Sequence, residues 1–235
     1  MAIYTRENEY IRLLAARDHT VKELADKLFI SEPTVRRDIV KMKEKEIVTC
    51  QRGVVSIKRN SADKRIPLHV RDLENIELKK RIALEAASHI NDGDVIMLDA
   101  STSAQCIIPH LIKFKDIFVI TNGINTAVEL ASLGIKTVCS GGELTSESLS
   151  FIGPDAETVL DRYFADIAFF SCRGLDNDGV ASDNSILENN IRRLMIKNSK
   201  RKFLLCDSTK LSRRYLNKLC DSIALDGIIC DIPIK

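Results

Sequence analysis

Between Glu7 and Arg17 the apolar residues Tyr10, Ile11, Leu14 and Ala15 recur at three- and four-residue spacing, which predicts an amphipathic helix that breaks near Thr20. Thr20 is placed to cap a second helix, with Glu23 three residues on completing a capping box. Val21, Leu24, Ala25 and Leu28 form the apolar stripe of that helix. A short turn, Phe29-Ile30-Ser31, follows. Ser31 then predicts the N-cap of a third helix, and Pro33 fits its first turn, where a missing N–H forfeits no intrahelical bond. On this third helix Val35, Ile39 and Met42 share one side, Arg37 lies nearly opposite, and Thr34, Arg36 and Lys41 flank it. Beyond Glu46 the run IVTCQRGVVSI reads as two β-rich segments around Gln51, Arg52 and Gly53, which predicts a hairpin.

Two short helices, a tight turn, a third helix with polar N-terminal residues and a hairpin form the pattern of a winged helix-turn-helix over residues 1–58, whose last helix enters a DNA major groove. The candidate DNA contacts are Thr20 at the start of helix two and Ser31, Glu32, Pro33 and Thr34 at the start of helix three. Arg36, Arg37 and Lys41 on its cationic face join them, with Arg52 at the wing tip, where it can reach phosphate or a minor groove. Two alternatives stay open: a solvated ion-pair surface, with Arg36 paired to Glu32 or Asp38, and a winged helix that binds only protein.

The stretch KRNSADKRIP is polar, lacks strong periodicity and ends at Pro67, so residues 59–72 read as a linker. From residue 73 to 235 the pattern changes. Ile76, Lys79, Ile82, Ala83, Ala86, Ala87 and Ile90 fit a helix, and VIMLD, IFVIT, KTVCS, DIAFFS, KFLLCD and GIIC are short continuous apolar runs separated by mostly helical stretches. Such runs suit strands buried on both faces, so this part is predicted to be an α/β domain with a largely parallel sheet, its ligands gathering beyond the carboxyl ends of the strands.

Four of those ends carry small or polar groups. Asp99, Ser101, Thr102 and Ser103 leave the first strand and open a helix, where unpaired N–H groups and the helix dipole favour an anion. Asn122 follows the second strand, Gly141 and Gly142 follow the third and permit close backbone approach, and Asp207 with Lys210 follows a later one. Together they suit a phosphorylated polyol, hydroxyls and lysine for phosphate, Asp or Asn for sugar hydroxyls. Each also has a structural explanation, since Ser and Thr are ordinary caps and glycines turn corners. Neither a P-loop nor a GxGxxG pattern is present, so nucleotides are disfavoured and no cofactor is expected.

Composition adds less. Of 235 residues, 45% are hydrophobic and 29% charged, and the longest apolar run falls short of the roughly 18 residues of a membrane span, so a soluble, cytoplasmic protein of two domains is expected. The net charge of +2 is distributed unevenly: residues 1–58 hold 12 Lys and Arg against 9 Asp and Glu, modest support for a nucleic-acid contact there. Seven scattered cysteines without a CxxC read as small buried hydrophobes, and four scattered histidines give no metal spacing.

These segments resemble the DeoR family of bacterial transcription regulators across nearly the whole chain. VKELADKLFISEPTVRRDI is similar to that family's helix-turn-helix signature, and NDGDVIMLDASTS, ITNG, SGGELT, SFIGPDAE, GLDNDGVAS and LLCDSTKL follow the order of its sensor-domain motifs. The resemblance implies an oligomeric repressor of a carbohydrate operon whose sensor domain, similar in fold to ribose-5-phosphate isomerase, binds a sugar phosphate or related metabolite. It implies that the Asp99–Ser103 loop holds phosphate, with Asn122, Gly141, Gly142 and Lys210 around the ligand and, from ENNIRRLM, Glu188 and Arg192 nearby. SCRGLD departs from the family by carrying Arg173 where an Asp is usual, so that Arg173 either favours a more anionic effector or fills the pocket with a salt bridge. An isomerase-like enzyme is the alternative from another class. It requires a carboxylate base beside the substrate carbon, and SCRGLD lacks the acidic cluster that would supply one.

Overall fold

The computed structural model describes residues 2–58, 71 and 73–234, so the expected linker lies outside the described residues apart from Arg71. The chain divides into two compact units, Met1–Ile76 and Glu77–Lys235.

In the first unit, helix α1 (Ala2–Ala16) leads into a two-residue strand β1 (His19–Thr20), then α2 (Val21–Leu28), α3 (Glu32–Glu44) and the hairpin β2 (Val48–Gln51) and β3 (Val54–Ile57). The capping box forms as the spacing predicts. Glu23 N–H donates to Thr20 Oγ1 at 3.1 Å, and Glu23 Oε2 accepts the Thr20 N–H at 2.7 Å. Ser31 caps α3 with Pro33 in its first turn. The hairpin pairs Gln51 with Val54 across a two-residue turn in which Arg52 (φ 49) and Gly53 (φ 79) are both left-handed, the conformation that matches the twist of the flanking strands. β1, too short to show any period, pairs with β3 and gives the three-stranded order β1-β3-β2. Tyr10, Leu14, Leu24, Val35, Ile39, Met42 and Val55 make one core, so the apolar stripes of all three helices are accounted for.

The second unit is built on α4 (Ile76–Ala87), β4 (Val95–Leu98), α5 (Thr102–Gln105), α6 (Ile108–Leu111), β5 (Phe118–Thr121), α7 (Ile124–Ser132) and β6 (Lys136–Cys139). Next come a small hairpin of β7 (Glu143–Leu144) and β8 (Phe151–Ile152), helix α8 (Gly153–Leu160) and β9 (Ala165–Ser171). The chain then forms β10 (Gly174–Leu175), β11 (Val180–Asp183), α9 (Ile186–Lys197), β12 (Ser199–Leu205), β13 (Asn217–Asp221) and β14 (Gly227–Ile229). The six apolar runs read from the sequence form one wholly parallel sheet, β14-β12-β9-β4-β5-β6. Their continuous apolarity follows from burial on both faces: Ile96, Leu98, Ile167 and Phe169 pack on one side, Met97, Ala168 and Phe170 on the other. A separate antiparallel sheet, β10-β11-β13, was not evident from periodicity.

The strand order fixes where a ligand can sit. From β4 the chain adds β5 and β6 on one side, then returns to place β9, β12 and β14 on the other. The topological switch point therefore falls between β4 and β9, where the connections leave in opposite directions, the place at which open α/β sheets commonly bind their ligands.

Candidate functional site

On the first unit, α3 presents its candidate contacts to solvent: Ser31, Pro33, Arg36, Arg37 and Lys41 are exposed, and Glu32 and Thr34 partly so. Arg36 pairs with Glu32 at 3.3 Å, one of the two partners the sequence allowed. The other, Asp38, turns back onto α1, bonded to Arg6 at 3.0 Å and to the Tyr10 hydroxyl at 3.3 Å. Arg37, Lys41 and Arg52 have no ion-pair partner among the described residues, so their charge is available to an external anion. Exposed Thr20 spends its hydroxyl on the cap; Glu23, held by the Thr20 N–H and by Arg17, is lowered to about 2 and stays ionised.

On the second unit, the switch point carries a chain of buried ionic contacts. Asp99, the residue after β4, accepts the Ser101 N–H with Oδ1 and the Ser171 N–H with Oδ2, bridging the ends of β4 and β9. Arg192 reaches it from α9, its Nε–H donating to Asp99 Oδ2 at 3.0 Å and its Nη1–H to Asp183 Oδ2 at 2.9 Å, while Nη2 lies 3.5 Å from Glu188 Oε2. Burial disfavours the cation, but these carboxylates outweigh it and push the Arg192 pKa upward. On the far side of Ser171, Lys210 Nζ donates to Ser171 Oγ at 2.8 Å and lies 3.5 Å from Asp207 Oδ2. Lys210 is raised and Asp207 lowered, each because its partner's charge exceeds the cost of burial. Glu188, Arg192, Asp99, Ser171, Lys210 and Asp207 thus form one connected set.

The remaining candidates divide by what they already hold. Asn122 ties two loops together, accepting the Ala100 N–H and donating to the Phe151 carbonyl at 3.0 Å. Ser101 caps α5. Ser103 is wholly enclosed and its Oγ has no hydrogen-bond partner among the described residues, while Thr102 keeps a small exposed surface. Gly142 (φ 103) is close-packed against its own chain: a Cβ there would stand 2.8 Å from the Ile152 carbonyl. The close approach expected at this glycine is made by the start of α8. Gly141 (φ 64) faces open space. Arg173 lies over the Tyr215 ring at 5.1 Å and forms no salt bridge among the described residues, so the salt-bridge alternative for it is not seen.

Sequence reasoning missed Asp183, Ser171 and Ser150, whose hydroxyl donates to Glu188 Oε1 at 3.2 Å. A buried arginine implies acidic partners, and the Asp-Asn-Ser run ahead of α9 was the available signal for Asp183. The cysteines also differ from expectation. All seven are free, but only Cys172 and Cys206 are buried. These two sit side by side at the ends of β9 and β12, where the Cys206 thiol and then the Lys210 charge hold Cys172 low despite burial. Among the described residues no His, Cys, Asp and Glu group could hold a metal, and no helix is long and apolar enough to cross a membrane.

Comparison with known proteins bears on both units. Residues 6–60 match the DeoR-like helix-turn-helix domain and residues 74–232 the DeoR C terminal sensor domain. YulB of Bacillus subtilis (strain 168), described as an uncharacterized HTH-type transcriptional regulator, is 33% identical over 98% of this chain and 90% of its own length. The glycerol-3-phosphate regulon repressor of Escherichia coli (strain K12) is 25% identical over 97% of this chain and 90% of its own. Ribose 5-phosphate isomerase A from Methanocaldococcus jannaschii is similar over 58% of this chain and 55% of that one, with 21% identity and a TM-score of 0.44. A helix-turn-helix unit with a free cationic face, joined to a parallel α/β unit with polar strand ends and matched by family over both, makes this chain a member of the DeoR family of DNA-binding transcriptional regulators.

Proposed function

We propose that this regulator is a repressor of a carbohydrate-metabolism operon, and that a phosphorylated sugar or related metabolite, bound at the β4/β9 switch point, releases it from its operator. The supporting observation is the ionic set running from Arg192 to Asp207, gathered beyond the strand ends with one cation, Lys210, still partly open to solvent. An ammonium group has three donors, and Ser171 and Asp207 leave Lys210 with capacity for a ligand oxygen. In this reading Lys210, Thr102, Gly141 and Arg173 face the effector, while Asp99, Asn122, Gly142, Glu188 and Arg192 hold the site in shape. Ser101, Ser103 and Asp207 support the loops that carry the contacts. The relative from Escherichia coli named for glycerol-3-phosphate is in keeping with a phosphorylated ligand.

The DNA-binding module is assigned to residues 1–58, the linker to 59–72 and the sensor to 73–235. The protein acts in the cytoplasm as a homo-oligomer, because paired recognition helices fit successive major grooves and the effector shifts their spacing. Turnover is disfavoured by the acid groups themselves: Asp99, Asp183 and Glu188 all face Arg192, which, against the effect of burial, holds Asp183 below the usual carboxylate range and leaves it a poor base. A thermal-shift screen of the full chain against pentose, hexose and triose phosphates tests the reading. One ligand is expected to raise the melting temperature with log concentration and to weaken operator binding. Product formation in the same incubations would replace the sensor with an enzyme.

A further inference from the structure

Phe29 closes α2 where the chain turns toward α3. Its N–H donates to the Ala25 and Asp26 carbonyls, and the next N–H, of Ile30, reaches Ala25 O at 3.1 Å. This is the closure of a Schellman cap, and it sets Phe29 in the left-handed region, at φ 53 and ψ 42. Glycine and asparagine accept that conformation readily, whereas the Cβ of a bulky residue is forced toward the following carbonyl oxygen. Ile30 packs on the core, as the residue after such a cap should. The ring of Phe29 does not: it is 94% exposed. Phe29 therefore neither relaxes the backbone nor covers apolar surface within its own unit.

Its position shows what the ring can reach. Phe29 stands two residues ahead of the Ser31 cap, at the N-terminal end of α3, the end that a helix-turn-helix directs at base edges. Free Arg37 supplies that face with charge for phosphate, and Thr34 with a hydroxyl. A duplex also presents carbon surface, the deoxyribose rings and the thymine methyl groups, and phenylalanine is among the residues that pack on the latter. We propose that Phe29 is an apolar DNA contact, its ring lying on deoxyribose or a thymine methyl at the margin of the groove that α3 enters. The inference rests on α3 being the recognition helix.

The experiment uses full-length Phe29→Asn and Phe29→Gly variants, an Arg37→Ala control, and duplexes selected by the unaltered protein from a random-sequence pool. Both Phe29 variants are expected to bind about tenfold more weakly, the equivalent of removing one partly buried apolar side chain, with no fall in melting temperature because the left-handed strain is relieved. The loss should be the same at every salt concentration, since no counterion is involved, whereas Arg37→Ala should flatten the salt dependence. Uracil in place of thymine locates the contact: a wild-type loss that the variants do not share assigns the methyl, and no such loss assigns the sugar. Unchanged affinity in both Phe29 variants, with Arg37→Ala weakened, overturns this proposal alone. Unchanged affinity in all three overturns the recognition-helix reading with it. A shift in the oligomeric state of the free Phe29 variants would reassign the ring to a contact between copies.

Discussion

Arg192 and Asp99 are 93 positions apart in the chain, yet the guanidinium Nε–H of one donates to the carboxylate Oδ2 of the other at 3.0 Å, buried at the point where the strand connections leave in opposite directions. A planar guanidinium can reach three carboxylates at once, so Arg192 spans Asp99, Asp183 and Glu188 where a lysine would satisfy fewer. Replacing Arg192 by Ala strands buried carboxylates without a cation, and removal of one partner from such a set costs about 3–5 kcal/mol. Urea unfolding of the second unit should show that loss, and an unmoved midpoint would mean the guanidinium does not hold the site.

Lys210 is the cation with donors to spare. Lys210→Ala should abolish the stabilisation produced by whichever sugar phosphate raises the melting temperature of the unaltered protein, and should leave operator affinity without ligand unchanged. Full retention of the response would remove Lys210 from the effector's contacts.

Arg37 is exposed and has no ion-pair partner among the described residues, so Arg37→Ala should leave the melting temperature unchanged. Operator affinity should fall, and the slope of log affinity against log salt should lessen by about 1, the signature of one lost phosphate contact. An unaltered slope would contradict the assignment of this face to DNA.

His19 is buried in β1 opposite Val55, and its Nδ1 lies 3.8 Å from Glu23 Oε2, beyond hydrogen-bond reach. Burial, then Arg17 and Lys27, lower its pKa, and the Glu23 charge only partly opposes them. As pH falls, the unfolded chain takes up this proton first, at about pH 6.5, so the helix-turn-helix unit should lose stability below that pH. His19→Gln should flatten the dependence of melting temperature on pH between 8 and 5 relative to the unaltered protein; an identical profile would clear His19 of the effect.

Gly141 and Gly142 look alike in the sequence and should respond differently. Gly141→Ala meets only the left-handed backbone and should cost about 1 kcal/mol. Gly142→Ala adds a collision with the Ile152 carbonyl and the Ala156 backbone, and should cost at least ~2 kcal/mol in denaturant unfolding. Equal costs would show that the α8 contact yields.

By itself the sequence determined what local spacing can encode. The stripe Val35, Ile39 and Met42, the Thr20–Glu23 cap and the Ser31 cap with Pro33 are interactions within four residues or one helical turn, and all are found in the structure. The six apolar runs were legible as strands, and the sheet they form is parallel. Only the tertiary structure decided their order, and with it the switch point between β4 and β9, because hydrogen-bonded neighbours such as Leu98 and Phe169 leave no mark in the spacing of either segment. For the same reason the partners of Arg192, the packing of Gly142 against α8 and the exposure of Phe29 had to be seen in three dimensions. Strands as short as β1 and β10 are below the length at which a period of two can be detected. A side chain's neighbours across the fold depend on how distant segments are brought together, and that is a property of the packed chain.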